Sequence, residues 1–93
     1  MFVKLNKISK HTSGGFYITE IVINSTQILF LSENKEMRNS LLEGKIELGL
    51  NSLVRFTDVS FSSGGERNKI TVIGDPMMIE TKILSSKKQL LRD

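Results

Sequence analysis

Cysteine is absent from the chain, and with it go structural disulfides, thiolate nucleophiles and cysteine-based zinc sites. Histidine is nearly absent. His11 stands alone in the turn-like polar stretch Lys10-His11-Thr12-Ser13-Gly14-Gly15 and reads as an exposed loop residue, because the subunit has no second imidazole to share a metal. The acidic residues Asp58, Glu66, Asp75 and Glu80 are scattered and not paired at a spacing that suits acid/base work or an oxygen-ligand metal loop. Ser62 and Ser63 have no evident base. The expectation is therefore a protein that is not an enzyme, with no catalytic residue, no metal and no cofactor. Long apolar runs are missing too: none approaches the roughly 20 residues that span a bilayer, and the opening residues lack the apolar core of a signal peptide. No membrane partner is expected, and a cytoplasmic location is.

What is present fits one small domain over residues 1–93, since two cores of half this length would each bury too little surface. Thirteen Lys and Arg against ten Asp and Glu give a formal charge of +3, a weak bias toward anionic partners. A small sheet with one open face finishes its core by pairing with copies of itself, so a homo-oligomer is expected.

The only proline marks the clearest boundary. In Val72-Ile73-Gly74-Asp75-Pro76-Met77-Met78-Ile79 the apolar period changes from alternation to helical spacing. Asp75 can accept from the free amides of a first turn, and Pro76 has the preset φ and missing N–H that suit N1. The helix from Pro76 carries Met78, Ile79 and Ile83 on its apolar side, and residues 85–93 either extend it or form a frayed tail. Upstream, alternation predicts strands over residues 2–9, 16–23, 28–31, 53–61 and 69–73. Val22 suggests burial of both faces near the end of the second. Asn24-Ser25-Thr26-Gln27 suits an Asx turn or a single helical turn, and the first three strands read as a meander. Residues 34–52 are an excursion. Met37 and Leu41 lie one helical turn apart with Gly44 as a stop, and Ile46, Leu48 and Leu50 alternate as either a brief edge strand or an ordered loop.

The most chemically suggestive stretch is Ser62-Ser63-Gly64-Gly65 with Arg67, Asn68 and Lys69. Consecutive glycines let backbone amides turn toward an anion while two cations stand beside them. It is not a P-loop, since no Gly-Lys-Ser or Gly-Lys-Thr follows and the next element reads as a strand. The same residues also read as a polar hairpin loop over 62–68. Arg55 sits among Leu53, Thr57 and Val59 on one strand face. If buried it needs an anionic or carbonyl partner; if solvated it pairs across the sheet with Glu20 or Glu66. The candidate ligand-binding set is Arg55, Ser63, Gly64, Gly65, Arg67 and Lys69. Lys35, Arg38 and Lys45 are nearly cancelled by Glu33, Glu36, Glu43 and Glu47. Phe2, Phe16, Phe30, Phe56 and Phe61 read mostly as core, leaving Tyr17 as the exposed aromatic.

An initial Lys-Leu strand, a strand entering Ile23-Asn24-Ser25-Thr26-Gln27-Ile28, an apolar pair and a last strand leading into a short helix together resemble the small FlbD-like proteins. Small tailed-phage proteins have a similar layout. The 34–52 excursion is extra, and Gly74-Asp75-Pro76 replaces the usual acidic helix entry. The resemblance implies a sheet-plus-helix module, phage-encoded, that acts by association and carries no catalytic residues over. The expected fold is α+β: a small bent antiparallel sheet of about five strands with a short middle helix and a C-terminal helix. The expected function is non-catalytic sequestration of a small anionic or nucleotide-like ligand, such as a host defence signal, between subunits. The alternative is a regulatory module binding protein or nucleic acid through a basic surface.

Overall fold

The computed structural model describes the backbone of residues 2–92 and the side chains of residues 2–86. It is α+β: strands β1 (Phe2–Lys10), β2 (Phe16–Asn24), β3 (Ile28–Glu33), β4 (Phe56–Ser63) and β5 (Glu66–Ile73), with helices α1 (Lys35–Leu42) and α2 (Pro76–Arg92). All strand pairs are antiparallel, in the order β2-β1-β5-β4-β3. Side-chain use of the 85–93 tail beyond Ser86 lies outside the described residues.

The first three strands do not form a meander. β1 and β2 make a nine-pair hairpin, but β3 pairs with β4 at the far edge of the sheet. One 3-10 turn, Ser25–Gln27, joins the two edges. The Asn24 side chain accepts from the Thr26 N–H at 3.1 Å and from its hydroxyl at 2.8 Å, so the chain turns a corner without reversing. In an all-antiparallel order of five, the two edge strands run the same way. Only a strongly coiled sheet brings the end of one within three residues of the start of the other.

Coiling gives the sheet an inner and an outer face. Val3 and Leu5 of β1, Val59 of β4 and Val72 of β5 are buried on the inner face, where Ile79 of α2 completes the cluster. Ile21, Ile23, Ile28, Leu31, Ile70 and Ile83 pack partly around it. Ile79 and Ile83 of the α2 stripe are therefore spent on the domain's own core, with Ile79 1% exposed, while among the described residues Met77, Met78 and Leu84 of this helix face outward. Ile8, Ile46 and Phe56 are buried outside this cluster.

Residues 43–55 form a loop, so the alternation of Ile46, Leu48 and Leu50 makes neither a strand nor a helix. β4 begins at Phe56, three residues later than the pattern predicts, because Asn51 folds residues 51–54 into an Asx turn with its side chain accepting from the Leu53 N–H at 2.8 Å. Toward the hairpin the strands run longer than expected: Ser63 pairs with Glu66 and only Gly64 and Gly65 form the loop. Both glycines have positive φ, 58° and 84°, the backbone of a two-residue hairpin turn that matches strand twist.

Candidate functional site

The six candidate residues separate into four places. Paired residues share a face, so Ser63 lies with Phe61 and Val59 on the inner face, while Arg67, paired with Ser62, and Lys69, paired with Ser60, lie on the outer one. Gly64 and Gly65 form the tip between them. Arg55 precedes the opposite end of β4, roughly 26 Å from Ser63 at about 3.3 Å per strand residue. Its carbonyl accepts from the Gly74 N–H at 2.8 Å, and its guanidinium Nε lies 3.8 Å from Glu33 Oε2. Arg55 is thus half-exposed beside a carboxylate from β3, whereas Glu20 and Glu66 are not its partners. β3 and not β2 borders this end of β4, which the meander reading could not supply.

Lys69 is also engaged, with Nζ at 3.8 Å from Asp58 Oδ2. Asp58 is the hub of a polar cluster on the outer face. Its Oδ1 accepts from Thr71 Oγ1 at 2.7 Å and from Asn34 Nδ2 at 3.0 Å, while Asn34 Oδ1 accepts from the Met37 N–H and so caps α1. This cluster ties three elements together, and its carboxylate already accepts two hydrogen bonds and faces one ammonium.

Two concavities matter. The first, about 340 Å³, lies at the Arg55 end and is lined by Leu53, Val54, Ile73, Gly74, Asp75 and Met78 among others. Its walls are apolar, and Asp75 accepts from the Met78 N–H there at 2.8 Å, so an anion would meet a carboxylate. The second, about 380 Å³, opens beside the hairpin tip. Phe2, Val22 and Asn24 line it together with Lys7, Gln27 and Ser63, over a floor that includes Ile23, Phe61 and Ile70. Lys7 and Ser63 share the inner face with the apolar floor, whereas Phe2, Val22 and Asn24 have outer-face parity and border the groove; Phe2 is 66% exposed.

Of the sequence-derived set only Ser63 lines this groove. Lys7, Asn24, Gln27 and Phe2 were hidden from sequence reasoning because they come from two stretches, β1 and the 24–27 corner, that only the folded sheet brings beside the β4–β5 hairpin. The aromatic reading also changes. Phe56 is fully buried, but Phe2 and Phe30 are more exposed than Tyr17. Val22, expected to be buried, is 60% exposed on the outer face of the edge strand β2. Among the described residues no group of three or more His, Cys, Asp and Glu could hold a metal ion, and no helix is long and apolar enough to cross a membrane. No protein-family model, curated protein or solved structure matches the chain.

Proposed function

We propose that the chain is a non-catalytic, self-associating binding protein that holds a small anionic or nucleotide-like ligand in the groove beside the β4–β5 hairpin. The observation that carries this reading is the composition of that groove: Lys7 for an anionic group, Gln27 and Ser63 for hydrogen bonds, and an apolar floor of Ile23, Phe61 and Ile70 for a flat ring. Its size supports self-association. At about 380 Å³ it lies at the small end of ligand pockets, and a dinucleotide would protrude until a second subunit covered it. Sequestration of a nucleotide signal uses this arrangement directly, since retention needs contacts and not a reacting group. The basic-surface alternative has less support, because Lys4 and Lys69 each stand beside a carboxylate, Glu20 and Asp58, at 3.8 Å.

Native mass spectrometry of protein purified from cells reports subunit number and any retained small molecule together. Calorimetry with cyclic dinucleotides, ADP-ribose-type cyclic nucleotides and short RNA then separates the ligand classes. A charge-assisted contact contributes about 1.5 to 3 kcal/mol, so Lys7→Ala weakens nucleotide binding roughly ten-fold or more. Binding left unchanged by Lys7→Ala overturns the groove assignment, and binding of RNA alone favours the basic-surface reading.

A further inference from the structure

We infer that two copies of the chain join through their β2 edges, pairing antiparallel about a two-fold axis at Val22. This rests on the self-association proposed above and says where it occurs.

The sheet has two free edges, β2 and β3, and they differ. Sheet edges in soluble proteins are kept single by prolines, charged side chains, bulges or shortness. β3 combines three of these guards: it is six residues long, its pairing with β4 shifts register between Ile28 and Phe30, and it ends on Glu33. β2 has one, the charge of Glu20. It runs nine residues, Phe16–Asn24, in unbroken register with β1, and contains no proline, lysine or arginine. Its single charge decides the register. A two-fold at Glu20 would set the carboxylates of both copies side by side, which like-charge repulsion disfavours. Moving the axis to Val22 places Glu20 opposite Asn24 of the other copy and Ile21 opposite Ile23, with Val22 facing itself.

That register also puts apolar side chains at the axis. Val22 is 60% exposed and pairs with Lys4 on its own subunit, so at the axis the two Val22 side chains meet side by side. Phe2, 66% exposed, stands diagonal to Val22 on the same face. Val22 and Asn24 also border the ligand groove, so the second copy stands beside its rim.

The absence of cysteine makes the test direct, because a substituted thiol is the only one in each subunit. Opposed residues of an antiparallel pair have Cα atoms about 4.5 to 5.5 Å apart, within the range a disulfide spans. Val22→Cys, oxidised mildly at low protein concentration, is expected to convert mostly to a covalent dimer on non-reducing gels, while Phe30→Cys at the other edge stays largely monomeric. Val22→Lys, checked for folding by circular dichroism, is expected to shift the mass from light scattering to that of a monomer. A wild-type oligomer in which Val22→Cys fails to cross-link, or Phe30→Cys cross-links as readily, overturns this interface and leaves the binding reading standing. Wild-type protein that is monomeric at high micromolar concentration overturns both.

Discussion

Asn34 does two jobs with one amide group: its oxygen caps α1 through the Met37 N–H and its nitrogen donates to Asp58 Oδ1. Removing it by Asn34→Ala loses a cap, a matter of about 1 kcal/mol, and strips a donor from a largely buried carboxylate, a further 1.5 to 3 kcal/mol. The expected loss of about 2 to 4 kcal/mol is read from the urea midpoint. Asn34→Asp keeps the capping oxygen yet sets a second carboxylate against Asp58, so it is expected to be nearly as damaging; a stability close to wild type would show that the Asp58 bond contributes little. Neither role was legible beforehand. The sequence shows Asn34 only as a polar residue before a short helix, and Asp58 lies 24 residues away on a strand that α1 reaches by tertiary packing.

Among the elements, α2 was the most legible. Its start coincides with Pro76, and Asp75 Oδ1 accepts from the Met78 N–H at 2.8 Å as the cap reading requires. Just before it Gly74 takes φ 118°, a conformation side chains avoid, and a Cβ there would meet Ile79 Cδ1 at 3.3 Å. Thr57, buried on β4, donates to the Gly74 carbonyl at 2.7 Å, which pins the strand-to-helix junction. Asp75→Ala is expected to lower stability by about 1 kcal/mol and Pro76→Ala by clearly less, measured as shifts of the thermal midpoint. Equal, negligible shifts would mean that side-chain capping does not set the helix start. Strand ends were harder to place than strand existence. Alternation continues through Leu53 and Arg55 on paper, but the Asx turn at Asn51 competes for the same residues and delays β4 to Phe56.

At the scale of the whole molecule, five strands and two helices could be read locally, while their order could not. Parity along a strand states which side chains share a face and is silent on the neighbouring strand. The corner at Ser25–Gln27 carries β3 away from β2, and every groove lining depends on that displacement. β5 lies in the middle of the sheet, between β1 and β4, and Val72 within it is fully buried. Its amides bonded to β4 are expected to exchange with solvent only on global unfolding, whereas those of β2 and β3 that face the free edges exchange faster; hydrogen exchange followed by NMR checks the ranking. Uniform protection across the five strands would contradict it.

A central strand that comes last among the strands in chain order also constrains folding. Until β5 docks, the chain can close the β1–β2 hairpin and lay β3 against β4, but these two ribbons have nothing between them. Each then shows an additional unpaired edge: along β4, which β5 later pairs over eight residues, and along β1, which β5 later joins at Lys7 and Val72. The folding chain thus passes through a stage with four open edges in place of two, and the speed with which β5 slots between the ribbons sets how long that stage exposes it to wrong partners.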